Sequence, residues 1–366
     1  MEKLKNKKVV VGMSGGVDSS VAAYLLQKEG YEVIGVTMNV WKKEGDEMIE
    51  RKGGCCGLSD IDDARRIANK LGIEHHVLNF RGDFHKSVVQ NFIDEYKEGR
   101  TPNPCIACNR FVKWQSLLNR SIPLGADFIS TGHYAEIAVN NKNGRYTIKV
   151  SEGGGHKDQS YALFNLTQEQ LARSIFPIGK YSKDEIRDIA KNIDVMMAHK
   201  KDSQDICFIP NNDYGSFLEK EINSTEIKEG NFLNVNGEVI GKHKGIIYYT
   251  IGQRKNLGTA FGVPMYVKEI KPKTNEVILA DDSELYEKEL TAFDLNFMYY
   301  SKEEIKDDME VYAKIRYSHK SSKAFISVNK DKINCIFEEP QRAITKGQAV
   351  VFYDVDGHII AGGTIC

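Results

Sequence analysis

At 366 residues the chain is long for one hydrophobic core, and at roughly 150 residues per domain it implies two or three. Its 41% hydrophobic and 28% charged residues suit a folded globular protein and exclude a disordered one. Fifty Lys and Arg against 51 Asp and Glu leave a net charge of −1, so no molecule-wide positive field exists and any site for a polyanion is local.

The charged start, Met1 to Lys8, runs directly into Val9-Val10-Val11, which predicts no secretory leader. The three valines predict a buried strand. Asp18 to Glu29 predicts a helix with Val21, Ala22, Leu25 and Leu26 on one face and Gly30 as its stop. Val33 to Val36 predicts a second strand, and a helix follows from about Ser59, with Asp62 placed for a capping box and Gly72 after its end. His76 to Leu78 and Phe128 to Ser130 predict further strands. Strands alternating with helices imply a mainly parallel, doubly wound sheet whose ligands sit at the carboxyl ends of the strands. Thr167 with Gln170 and Ser182 with Glu185 are capping-box pairs ahead of two more helices. Beyond about Cys207, turns such as Asn236-Gly237 and Asp356-Gly357 separate short alternating runs at 311–316, 324–328 and 358–365. The expected architecture is therefore multidomain α/β plus β: a parallel-sheet domain over 1–206, a small β-rich linking domain over 207–280 and a terminal β-barrel over 281–366. No window approaches the roughly 18 consecutive apolar residues of a membrane span, which predicts a soluble protein with no membrane partner.

Ser14-Gly15-Gly16-Val17-Asp18-Ser19-Ser20 stands between the first strand and the first helix. Its glycines let the backbone approach an anion, while hydroxyls and helix N-terminal N–H groups supply donors. The Gly-Lys-Ser/Thr ending that grips β- and γ-phosphates is absent, so γ-phosphoryl transfer is not expected. The segment resembles the PP-loop of ATP pyrophosphatases, which cleave ATP between the α- and β-phosphates, attach AMP to a carbonyl-type oxygen and let a nucleophile displace it. Small-molecule amide ligases, argininosuccinate synthetase and tRNA thiolases all fit that loop.

The seven cysteines, odd in number and unevenly spaced, do not form the framework of a small secreted domain and fit a reducing cytoplasm. Cys105 and Cys108 lie in Thr101 to Asn109, where Pro102 and Pro104 predict a loop. Cys207 follows Lys200-Lys201 at a distance of several residues. Lys113, Lys200 or Lys201 near a thiol would lower its pKa. Two reactive thiols suit sulfur transfer, one carrying a persulfide and the other resolving the product by disulfide exchange. Competing readings are a zinc site completed by Cys55-Cys56, a buried apolar role for Cys207, and an iron–sulfur cluster held by Cys105, Cys108 and Cys207. Cys335 and Cys366 are read as small buried hydrophobes.

Further segments narrow the resemblance. They are Gly99 to Pro104, Cys108-Asn109, Thr131 to Tyr134, Lys157 to Tyr161, Phe176 to Gly179, Lys201 to Ser203, Ile206 to Ile209, Gly252 to Lys255 and Gly347 to Tyr353. Together they resemble the tRNA-uridine 2-sulfurtransferases, the 2-thiouridylases of the MnmA type, over nearly the whole chain. The resemblance implies an ATP-binding catalytic first domain and a tRNA-binding barrel. The implied activity is ATP-dependent 2-thiolation of the wobble uridine of tRNAs for Lys, Glu and Gln. It further implies that Gly12, Met13, Ser14, Gly15, Gly16, Val17, Asp18, Ser19, Met38 and Gly132 hold ATP, with Asp18 toward Mg²⁺-bound phosphates. Cys108 matches the family's nucleophile and Cys207 its persulfide carrier. Asn103, Pro104 and Cys105 are implied at the target base; His133, Lys157, Asp158, Gln159, Arg316, Tyr317 and Gln348 at the anticodon region. A cysteine desulfurase or relay protein would donate the sulfur, in the cytoplasm. Many members carry aspartate where Cys105 stands, so this third thiol is either without that acid–base duty or a ligand of a [4Fe-4S] cluster that delivers sulfide. Lys314, Arg316, His319, Lys320 and Lys323 form a candidate basic strip for RNA phosphates.

Overall fold

The computed structural model describes residues 7–41, 58–200, 206–209 and 213–366. The chain forms two compact units: one of residues 1–88, 105–208 and 356–359, the other of 89–104, 209–355 and 360–366.

The first unit is built on five parallel strands: β1 (Lys8–Gly12), β2 (Glu32–Asn39), β3 (Glu74–Asn79), β4 (Phe128–Thr131) and β7 (Ser174–Ile175). They lie in the order β3-β2-β1-β4-β7. A hairpin of β5 (Glu136–Val139) and β6 (Tyr146–Lys149) stands apart from them. Helices α1 (Val17–Lys28) and α2 (Leu58–Leu71) follow β1 and β2. Val9, Val11, Val21, Ala22, Leu26, Ile67 and Ala68 close the core between sheet and helices, as an apolar strand beside an amphipathic helix demands. Because β2 and β3 extend the sheet to one side of β1 and β4 to the other, the strand order reverses at β1, and the loops after β1 and β4 open at that switch point.

Both predicted capping boxes form. Thr167 caps the helix Gln168–Ala172, and Ser182 caps Lys183–Ile193 with the Glu185 carboxylate reaching back. Asp62 does not cap α2, which already includes Ser59; it pairs instead with Arg65. A short helix α3 (Arg81–Phe84) leads from the sheet.

The predicted loop around Cys105 is a helix. Pro104–Ala107 is α-helical and runs into a π-helical stretch, Cys108–Ser116, and then into Leu117–Ser121. Pro104 takes the first position, where its missing N–H costs no hydrogen bond and its fixed φ suits the turn. The prolines thus mark the helix's start.

In the second unit a four-stranded sheet orders β10 (Tyr266–Lys271), β11 (Glu276–Ala280), β8 (Gly230–Leu233) and β9 (Val239–His243), with β11 and β8 parallel. Phe232, Tyr249, Val267, Val277 and Leu279 form its core. The last six strands close a barrel in the order β12 (Tyr286–Phe297), β15 (Lys332–Arg342), β14 (Ser322–Asn329), β13 (Met309–Lys314), β16 (Ala349–Tyr353) and β17 (Ile359–Ile365). Alternate residues such as Ile333, Cys335 and Phe337 point into it, the period of two that the sequence shows. The α/β-plus-β-barrel architecture is as expected.

Candidate active site

The loop after β1 has the backbone of an anion cradle. Gly15 has φ +67°, and a Cβ there would lie 2.4 Å from the Asp60 carbonyl oxygen, so only glycine fits. Gly16 is the N-cap of α1, and no side chain caps that helix, which directs first-turn N–H groups toward the loop. Ser19 Oγ accepts from Ser14 N–H at 3.2 Å and donates to Gly16 O, folding the loop back on the helix. Across the switch point Gly132 closes in: a Cβ would stand 2.5 Å from the Asp18 carbonyl carbon and the Ser19 nitrogen. Met13 and Val17 are buried in the core and present only their main chain, Met13 with its sulfur over Gly35. Met38 is half-buried on β2.

Sequence reasoning missed the partners of Asp18. Its carboxylate accepts from Lys183 Nζ at 2.8 and 2.9 Å and from the Tyr134 hydroxyl at 2.9 Å. The Lys183 side chain is 13% exposed and opens the helix capped by Ser182, far from the loop in sequence. This lysine supplies the positive charge that the loop itself lacks. The same contacts decide the fit of Mg²⁺: both Asp18 oxygens are already engaged by a cation, so the carboxylate expected to hold metal-bound phosphates is not a ready metal ligand.

Cys105 and Cys108 sit three residues apart at the head of the helix, Cys105 exposed and Cys108 partly so. The next residue, Asn109, is 2% exposed; its Nδ2 donates to Ala162 O, and its Oδ1 is buried without a hydrogen bond. Cys207 is also partly exposed. Its neighbour Phe208 packs edge-on against Phe84 with ring centres 5.8 Å apart, and α3, which carries Phe84, packs on the π-helical stretch that begins at Cys108. Both thiols thus hang from one local scaffold.

Lys200 Nζ binds Asp60 at 2.7 Å, Asp63 at 2.8 Å and the Gly15 carbonyl at 3.3 Å. Lys113 Nζ lies 3.4 Å from His133 Nε2. Lys201 and the Cys55-Cys56 pair fall outside the described residues. Tetrahedral zinc, with Zn–S near 2.3 Å, needs sulfurs within about 4 Å of one another. Among the described residues, no set of ligand atoms within 4.8 Å includes Cys105, Cys108 or Cys207, so the three thiols do not form such a site. Of the two cysteines read as buried, Cys335 is, and burial pushes its thiol up to about 12; Cys366 is exposed.

The comparisons place this architecture. A sequence model described as a tRNA methyl transferase HUP domain matches residues 7–211, one described as a tRNA methyl transferase PRC-barrel domain matches 215–281, and one described as an aminomethyltransferase beta-barrel domain matches 287–365. The tRNA-specific 2-thiouridylase MnmA of Lachnoclostridium phytofermentans is 54% identical over 360 residues, covering 98% of this chain and 99% of its own. The chain belongs to the MnmA family of tRNA-specific 2-thiouridylases. MnmA 2 of Clostridium botulinum strain Okra is likewise 54% identical over 360 residues, with 98% and 99% covered. MnmA of Acetivibrio thermocellus is 53% identical over 363 residues, with 99% of each covered.

Several residues that the MnmA resemblance puts at the RNA have structural duties here. His133 is 7% exposed, between Trp114 and Phe176, with Nδ1 2.6 Å from Thr131 Oγ1. Burial first, and Lys113 second, hold its pKa well below 6.5, so it is neutral. Asp158 is 8% exposed and accepts from Ser151 N–H, Ser160 N–H and the Ser160 hydroxyl. Gln159 Oε1 accepts from Tyr134 N–H at 3.0 Å. His133 and Asp158 are thus buried and held by local hydrogen bonds, while Lys157 is half-exposed. Tyr134 and Tyr161 are buried.

In the second unit Gln348 Nε2 donates to Thr101 O at 2.8 Å, and Thr101 N–H to Lys346 O, fixing the segment just ahead of Asn103 and Pro104. Arg316 donates to the Ala343 carbonyl and to Thr345 Oγ1. Tyr317 is 42% exposed, with Lys314 Nζ 5.6 Å from its ring centre. Lys323 leaves the proposed strip, because it faces Glu310 at 3.4 Å and Glu338 at 3.7 Å. Arg342, not anticipated, joins Arg316 and Lys314 around His319, whose pKa burial and these cations lower.

Proposed function

We propose that the protein catalyses ATP-dependent 2-thiolation of the wobble uridine of tRNA in the cytoplasm. The observation that carries this reading is one unit holding both an anion cradle at the sheet's switch point and the two thiols on a shared scaffold. ATP lies with its phosphates on the loop 14–19. The uridine C2 oxygen attacks the α-phosphorus, the bond to the β-phosphate bridging oxygen breaks, and pyrophosphate leaves. A poor leaving oxygen has become AMP.

Cys207 carries the transferable sulfur as a persulfide, loaded by a cysteine desulfurase or a relay protein. Its terminal sulfur attacks C2, and AMP departs with the electron pair of the C2–O bond. The Cys108 thiolate then attacks the inner sulfur of Cys207, releasing 2-thiouridine and leaving a Cys108–Cys207 disulfide for an external thiol to reduce. Asp18, held by Lys183 and Tyr134, orders the first turn of α1 rather than coordinating Mg²⁺, which accompanies ATP as its counter-ion. An iron–sulfur cluster held by Cys105, Cys108 and Cys207 would supply sulfide instead. A zinc-free, iron-free preparation that still thiolates tRNA supports the persulfide route.

The test separates the half-reactions. Cys108→Ser and Cys207→Ser are expected to release pyrophosphate in a tRNA-dependent manner and to form no 2-thiouridine. A small-molecule amide ligase would release pyrophosphate without tRNA and be indifferent to both substitutions.

A further inference from the structure

Where the chain leaves β1, both main-chain groups of Met13 are tied to β2. Met13 N–H donates to Val36 O at 2.8 Å, and Met13 O accepts from the Thr37 hydroxyl, also at 2.8 Å. Thr37 is fully buried, and its Oγ1 lies 2.9 Å from Nε2 of His75 on β3. A hydroxyl has one proton and a carbonyl oxygen can only accept, so Thr37 donates to Met13 O and must accept from the imidazole. His75 is thereby fixed as the tautomer with its hydrogen on Nε2. The strand register brings these groups together: Gly35 pairs with His75, and a Cβ at Gly35 would stand 2.6 Å from Met13 Sδ and 3.0 Å from His75 Cδ2. Burial first, then Arg65 and His76, lowers the pKa of His75, which favours the neutral ring.

The other edge of the same peptide belongs to the phosphate loop. The Met13–Ser14 bond is trans and planar, so its C=O and N–H point in opposite directions. With the carbonyl held by Thr37, Ser14 N–H donates to Ser19 Oγ at 3.2 Å, and the Ser19 hydroxyl donates to Gly16 O at 3.2 Å. The hydrogen bonds therefore run head to tail from His75 through Thr37, the Met13–Ser14 peptide and Ser19 to Gly16, the N-cap of α1. In such a chain each bond polarises the next.

We propose that Thr37 and His75 are positioning residues that hold the phosphate loop in the arrangement that receives ATP. A loop already ordered loses less freedom when the nucleotide binds, so the relay acts on affinity for ATP and not on the bond-making step. His75 acts through Thr37 and not on the nucleotide itself. The inference rests on the reading that loop 14–19 holds the phosphates of ATP.

The test measures binding of α,β-methylene ATP by calorimetry and tRNA-dependent pyrophosphate release at varied ATP, both on the full chain. Thr37→Val keeps the branched shape and leaves the Met13 carbonyl without its side-chain donor; it is expected to weaken analogue binding and raise KM for ATP about tenfold, with kcat within about twofold. Thr37→Ser is expected to restore binding. His75→Leu is expected to weaken binding about threefold, and the double variant to bind no more weakly than Thr37→Val alone, because the imidazole acts only through the hydroxyl. If Thr37→Val does not fold, His75→Leu and the unmodified protein decide: nitrogen-15 NMR of the His75 ring is expected to place the hydrogen on Nε2, and a hydrogen on Nδ1 alone overturns the relay. So does a folded Thr37→Val that binds the analogue as tightly as the unmodified protein. An unmodified protein that does not bind the analogue overturns the nucleotide reading and the relay with it, whereas failure of thiolation in an enzyme that binds it strikes the functional reading alone.

Discussion

Asp18 and Lys183 show how a nucleotide site is completed by residues that no local motif announces. The half-buried carboxylate would repel phosphates if it stood alone; paired with a largely buried ammonium it becomes part of a balanced group at the helix N-terminus. Lys183→Met is therefore expected to lower tRNA-dependent pyrophosphate release by at least about tenfold, because a carboxylate left uncompensated beside the loop costs several kcal/mol. Wild-type release rates would show that the pair is dispensable. Gly132→Ala places a methyl 2.5 Å from the backbone of Asp18 and Ser19, so loop and helix must separate. A loss of about 1–3 kcal/mol in unfolding free energy is expected, with ATP affinity falling alongside, read by denaturant titration and calorimetry. The cysteines should also sort by exposure: Cys105 labels fast with a thiol reagent at pH 8, whereas Cys335, buried and raised to about 12, stays protected until the barrel unfolds.

At the scale of elements, the two capping boxes mark helices that the chain announces in four residues each. Thr167→Ala and Ser182→Ala should each cost about 1 kcal/mol, measured as a shift in the unfolding midpoint, with the larger functional effect at Ser182 because Lys183 follows it. Such elements were legible because their signals are local: the valine run of β1, the apolar face of α1, the alternation in the barrel strands. β7 was not, since a two-residue strand has no periodicity and exists only through pairing with β4. The cysteine helix is not legible in the sequence, because two prolines look the same before a helix as inside a loop. The loop glycines and the two thiols were legible as chemistry. The Asp18–Lys183 and Lys200–Asp60–Asp63 groups were not, because residues more than a hundred positions apart meet only in the folded sheet. Burial of His133 and Asp158 was illegible for the same reason: a motif gives residue type, while packing decides which polar residues face solvent.

Across the whole molecule, four histidines share one electrostatic condition. His75 and His133 in one unit and His243 and His319 in the other all have pKa values held below 6.5, in each case chiefly by burial. A histidine depressed in this way binds fewer protons folded than unfolded, so its stabilisation is complete above about pH 6.5 and is lost as pH falls toward the folded value. Thermal unfolding should therefore occur at lower temperature at pH 5.5 than at pH 7.5, and His133→Gln should reduce that slope; a pH-independent midpoint would contradict the assignment.

The near-zero net charge is likewise a sum of unlike surfaces. Lys314, Arg316 and Arg342 surround His319 on the second unit, Arg342 also pairing with Asp282 at 2.8 Å, and Lys323 faces Glu310 and Glu338. Arg316→Ala is expected to weaken tRNA binding and to reduce the slope of log affinity against log salt by about one, with Lys323→Ala changing neither. The central claim is chemical, and mass spectrometry of tRNA tests it most directly. Unmodified tRNA is incubated with the protein, ATP, Mg²⁺ and a persulfide-generating donor, then digested to nucleosides. The account predicts one oxygen replaced by sulfur at C2 of the wobble uridine, with AMP and pyrophosphate in equal amount; an unchanged wobble uridine in the presence of an active donor would contradict it.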